Sequence, residues 1–217
     1  MSPSRGPKRV PGPSGSSGGA TSAPEARCVQ AWVELRTDDP EAVSALAVAR
    51  ARLSEGRGLT GVRRFRLFEL SGPLPVRAEI EDLLHRSTWV YNPHKERCSV
   101  RASAREASPA AAGEQAVLVV ERGAERCPAV ERWWLHETGQ PIEVRMGWTW
   151  VLRFEREEDA AARAGELAVV RGREHGLLCN PNAQDHALAP AARIPLPWIV
   201  PGARAAPRQR GTQEGTP

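Results

Sequence analysis

Two stretches decide how this chain is read: Tyr91-Asn-Pro-His-Lys-Glu-Arg-Cys-Ser-Val-Arg101 and Cys179-Asn-Pro-Asn-Ala-Gln-Asp-His-Ala-Leu188. Each sets an Asn-Pro pair ahead of a short strand-like run. Each carries an acid a few residues on, Glu96 and Asp185. One Asn-Pro pair is an ordinary turn, because Asn bonds its own backbone and Pro presets φ. Two pairs at the same station of two matching strings of elements are the mark of an internal repeat.

Working outward from them, the same order of elements emerges twice. Val29, Ala31, Val33 and Leu35 alternate with Gln30, Trp32, Glu34 and Arg36, the period of a strand. Asp38-Asp39-Pro40-Glu41 then supplies a cap, a first-turn proline and an acid, a helix start whose helix runs to about Arg52. Val62 to Leu70 is β-rich. Pro73 and Pro75 precede a helix with Ile80, Leu83 and Leu84 on one face, and the first Asn92-Pro93 turn leads into a short strand. In the second half Val117 to Val120 is a strand and Pro128 opens a helix with Val130, Trp133 and Trp134. Ile142 to Phe154 is a long strand, and Glu157-Glu158-Asp159 starts a helix running to about Leu178. The turn at Asn180-Pro181 closes the second string.

The expected fold is therefore α+β: two tandem β-α-β-α-β units, antiparallel sheets with helices on one face, packed as a pseudo-dimer within one chain. A unit of this size leaves a face or an edge unsatisfied, and a second unit can cover it. Trp148 and Trp150, two apart on one strand, share a face. With Trp133 and Trp134 they are read as seam or ordinary core, with an exposed partner patch as the alternative. The division is 1–26 tail, 27–102 first unit, 103–115 linker, 116–188 second unit and 189–217 Pro-rich tail.

Composition narrows the function. The chain has 217 residues and a net charge of +4. The two tails hold seven bases and two acids, and the 27–188 segment holds 23 bases against 24 acids. The basic surplus thus belongs to the ends. No stretch reaches the ~18 apolar residues of a membrane-crossing helix, so no membrane association is expected. No basic-then-apolar leader opens the chain. With four scattered cysteines and no Cys-x-x-Cys pair, that points to a reduced, cytoplasmic setting. Ile194-Pro-Leu-Pro-Trp-Ile-Val-Pro201 is apolar and, with its prolines, not helical. It is either a strap over its own domain or an extended docking peptide.

The histidines (His85, His94, His136, His175, His186) show no metal-binding spacing, and no nucleophile motif is present. No catalytic residue, cofactor or metal is assigned. Arg63, Arg64 and Arg66 form a basic run, with Arg64 and Arg66 on one face. With the basic tails they make a possible contact for phosphate or nucleic acid, but the near-neutral core disfavours that partner.

Val144-Arg-Met-Gly147 within a strand, followed by Leu177-Leu-Cys-Asn-Pro-Asn-Ala-Gln-Asp185 after a helix, resembles the small PurS-type subunit of phosphoribosylformylglycinamidine synthase. That family shows a Val-Arg-x-Gly-Lys strand and a Leu-Leu-Ala-Asn-(Pro/Thr)-x-x-Glu-Asp helix end. The first half resembles a more diverged copy through Asp39-Pro40, Phe65-Arg66, Glu69-Leu70 and Asn92-Pro93. Trp148 stands where the motif has Lys, and Leu67-Phe68 fall where it has a residue and Gly. The resemblance implies a non-catalytic subunit bridging a glutaminase and an ATP-dependent synthetase in purine biosynthesis, two fused copies acting as a pre-formed dimer that can self-associate further. The interaction residues it implies, together with the strand neighbours, are Arg66, Asn92, Pro93, Arg145, Gly147, Trp148, Trp150, Asn180 and Pro181. A diverged module with a partner outside that pathway is the alternative.

Overall fold

The structure, a computed structural model, describes residues 27–200. The expectations for 1–26 and for the chain after Val200 lie outside the described residues. The first unit comprises β1 (Arg27–Leu35), α1 (Pro40–Arg52), β2 (Leu59–Gly72), α2 (Arg77–Arg86) and β3 (Glu96–Arg101). The second comprises β4 (Gln115–Glu121), α3 (Pro128–Thr138), β5 (Glu143–Phe154), α4 (Ala160–Ala168) and β6 (Gln184–Pro190). The fold is α+β. Among the described residues, no helix is long and apolar enough to cross a membrane.

The local chemistry explains the helix starts. Asp39 caps α1, its Oδ1 accepting from Glu41 N at 2.9 Å, and Pro40 fills the first position, where no N–H is needed. Ile80, Leu83 and Leu84 form the buried stripe of α2. Pro128 starts α3, and Gly139 ends it at φ 70°, a left-handed conformation that glycine adopts without a Cβ penalty. The last helix departs from expectation: α4 stops at Ala168, about ten residues short. Val169 leaves the helix in extended conformation and forms a bridge with Cys179. Gly176, at φ 75°, turns the chain so tightly that a Cβ there would lie 1.6 Å from Val169 O. That return to Cys179 is incompatible with continuing the helix.

All six strands form one antiparallel sheet in the order β3-β1-β2-β5-β4-β6. Two stacked sheets are not formed. The units join edge to edge, through the ladder that opposes Arg66 to Trp148 and Arg64 to Trp150. This removes one edge from each unit and, among the described strands, leaves β3 and β6 at the margins. The registers of the halves correspond. Ala31 sits between Val100 and Phe68, and Val117 sits between Leu188 and Trp150.

Strand alternation divides the core into two layers. On one face lie the four described α-helices. Helices α2 and α3 cover Val29, Ala31, Phe68, Leu70 and Val144 at one end, and α1 and α4 cover Leu59, Val117, Val119, Leu152 and Phe154 at the other. Among the described residues, the opposite face carries no α-helix. There Trp32, Phe65, Leu67, Leu118 and Val151 are covered by the 103–114 segment and by Ile194–Ile199. The segment between the units is thus laid across the sheet, with Ala110 and Glu114 buried. Of the two readings of the Pro-rich stretch, the described part of it is a strap on its own sheet.

The four tryptophans do not form one seam. Trp134 is fully buried in α3 and meets Trp133 edge to face at 6.1 Å. Trp148 and Trp150 lie in mid-sheet, half-buried against Arg64. The backbone ladder, with Trp148 and Trp150 alone of the four on it, makes the junction.

Candidate interaction site

The junction of the two units on the helix-bearing face brings Arg64, Arg66, Trp148 and Trp150 together. All four point to the same side because β2 and β5 are opposed in register at these positions. The Arg64 guanidinium lies over the Trp148 ring at 4.3 Å and near the Trp150 ring at 5.5 Å, a favourable placement of a cation on an aromatic face. The α1 cap residue holds it there: Arg64 Nε donates to Asp39 Oδ2 at 2.8 Å, and Nη1 bonds Glu41. Arg66 pairs with Glu96 at 2.5 Å. On the opposite face Arg63 pairs with Glu114 at 2.7 Å.

Each arginine of the basic run therefore has a carboxylate partner. A polyanion would have to displace three sets of ion pairs to use them, which opposes phosphate readout at this strand. The row is a mixed surface of indole faces and compensated charge, a composition suited to protein contact.

The Asn-Pro turns are built alike. Asn92 Oδ1 accepts from His94 N, and Asn180 Oδ1 from Asn182 N, both at 3.0 Å. Asn92 N donates to the Glu96 carboxylate, and Asn180 N to the Gln184 side-chain oxygen, both at 2.7 Å. Asn92 O receives Lys95 N and Glu96 N, as Asn180 O receives Ala183 N and Gln184 N. Arg36, just after β1, and Arg122, just after β4, donate to carbonyls of the two turns. Glu96 therefore corresponds to Gln184, one residue before the expected Asp185. Pro93 and Pro181 sit at matching positions within these turns, remote from the Arg–Trp row.

Arg145 and Gly147 do not join that row. They alternate to the strap face, where Arg145 pairs with Glu143. Arg145 and Arg66, matched in the motif comparison, thus lie on opposite faces. Gly147 is explained by close packing: an added Cβ would lie 2.8 Å from Leu118 Cδ1 and 3.1 Å from Val119 O.

Sequence reasoning missed the buried polar residues of the strap face. Gln30 is 0% exposed, Glu69 2%, Arg101 4% and Glu114 3%. The available signal was Trp32 among the polar positions of β1, which shows that this face is also covered. Glu114 is held by Arg63 and by two bonds from Arg153. Burial alone would raise its carboxyl pKa. The Ala111 N–H and the Arg63 guanidinium outweigh that and hold it below the ordinary value.

The thiols are unsuited to nucleophilic work, because burial pushes Cys98 up to about 12 and Cys179 up to about 11. Burial lowers the pKa of His186. Among the described residues, no group of three His, Cys, Asp or Glu side chains could hold a metal ion. No family model, curated protein or solved structure matches this chain.

Proposed function

We propose that this chain is a non-catalytic interaction subunit, two like units fused into a pre-formed pair, acting in the manner of the PurS-type bridging subunit. The observation carrying this reading is the correspondence of the halves. The strand order mirrors about the β2–β5 ladder, and the Asn92 and Asn180 turns make the same bonds. Such a pair presents two related surfaces, which is what a bridge between two larger proteins needs. The half-buried Trp148 and Trp150, with Arg64 and Arg66, form the central contact surface in this reading.

The partners are a glutaminase and an ATP-dependent synthetase, acting together in glutamine-dependent amidation. Affinity purification of the tagged chain from native lysate should recover both, in an assembly that does not need catalysis by this chain. Recovery of neither overturns the purine assignment. Recovery of a different stable assembly favours the diverged interaction module.

A further inference from the structure

The strap is held by more than apolar packing. Ile194, Trp198 and Ile199 are 2%, 5% and 2% exposed and fill the layer over Trp32, Phe65 and Leu67. Beneath them the sheet places three buried polar side chains, and these address the strap's backbone. Glu69 accepts from Trp198 N at 2.6 Å and from Ile199 N at 2.9 Å, one bond per carboxylate oxygen. Gln30 Nε2 donates to Pro195 O at 2.8 Å, and Arg101 Nη2 donates to Ile194 O at 2.9 Å. Gln30 also connects the charged pair, giving a hydrogen bond to Glu69 and taking one from Arg101.

This arrangement is costly without its occupant. Without the strap, Glu69 would lose two N–H donors and keep its Gln30 bond, Arg101 would lose one carbonyl of its four partners, and the apolar slots would open to water. Pro195 and Pro197 bring no N–H that needs a partner there. Backbone bonds at four points, with apolar slots for Ile194, Trp198 and Ile199, follow the logic of extended-peptide recognition. The main chain supplies affinity and the slots supply selectivity.

We propose that this channel is a peptide-recognition site for an extended Ile-Pro-x-Pro-Trp-Ile segment, filled in cis by the strap and able to accept the same segment from a second copy of the chain. The tether is short, a three-residue turn at Ala191–Arg193. A short tether confers a millimolar local concentration, so the cis occupant prevails until it is weakened.

The test uses the full chain and a labelled peptide spanning Ala191–Val200. Trp198→Ala in the chain empties the largest slot while leaving the channel residues intact. Circular dichroism establishes that this variant is folded. It should bind the peptide saturably, and adding Glu69→Gln should weaken that binding by at least about tenfold, as loss of charge-assisted bonds does. In the unmodified chain, peptide at millimolar concentration, comparable with that of the tethered strap, should compete with it and speed hydrogen exchange at the strap's own Trp198 and Ile199 amides. This second measurement decides the matter if Trp198→Ala does not fold. Absence of peptide uptake by the folded variant, or unchanged amide protection in the unmodified chain, overturns the proposal. Equal peptide affinity with and without Glu69→Gln overturns the role assigned to that carboxylate.

Discussion

Glu114 shows how a single side chain joins distant parts of this molecule. Its carboxylate takes the Ala111 N–H at 2.7 Å, the Arg63 guanidinium from β2 and the Arg153 guanidinium from β5. It therefore fastens the end of the connecting segment to the junction of the two units. Its pKa is depressed in the fold, so the unfolded chain binds the proton more readily. The stabilisation is present above the ordinary carboxylate value near 4.5 and is lost as pH falls through the lower folded value. Glu114→Gln should reduce stability at neutral pH by about 1–3 kcal/mol and flatten the decline seen as pH is taken from neutrality to below the ordinary carboxylate value. Urea midpoints of both proteins at the two pH limits measure this. A variant that declines as steeply as the parent would refute the assignment.

At the scale of elements, the two Asn turns are the most informative pair. Each asparagine closes a turn through its side chain and then feeds an edge strand, β3 or β6. Equivalent bonds imply similar costs. Asn92→Ala and Asn180→Ala should each destabilise by on the order of 1 kcal/mol, read from denaturant midpoints. One costly and one neutral substitution would break the equivalence. The elements themselves were largely legible: α1 from Asp39-Pro40, α2 from its three-residue stripe, and β5 from an uninterrupted β-rich run. The α4 end was not, because Ala, Leu and Val persist beyond Ala168 while the return to Cys179 depends on a distant bridge. Arg64 and Arg66 were readable as one face, and Trp148 and Trp150 as another. Their union needed the β2–β5 register, which no local pattern states.

At the scale of the molecule, the units are inseparable. They share a ladder running from Leu59–Phe154 to Ser71–Glu143, and both contribute to each covering layer. Separating them would expose two strand edges and split every apolar cluster. Heating should therefore give one cooperative calorimetric transition for residues 27–200, with calorimetric and van't Hoff enthalpies in agreement. Two resolved transitions, one per unit, would contradict a common core.

The sequence by itself determined the doubled order of strands and helices, the helix caps, the paired turns and the confinement of excess charge to the ends. These are local properties, set by periodicity, side-chain hydrogen bonding to nearby backbone and the conformational limits of Pro and Gly. Only the tertiary structure decided that the units meet edge to edge, that the connecting segment and strap cover the second face, and that Gln30, Glu69 and Arg101 grip the strap. Those outcomes depend on which distant residues lie opposite one another. A buried polar residue gains its meaning from partners more than a hundred positions away, as Glu69 does from Trp198 and Ile199.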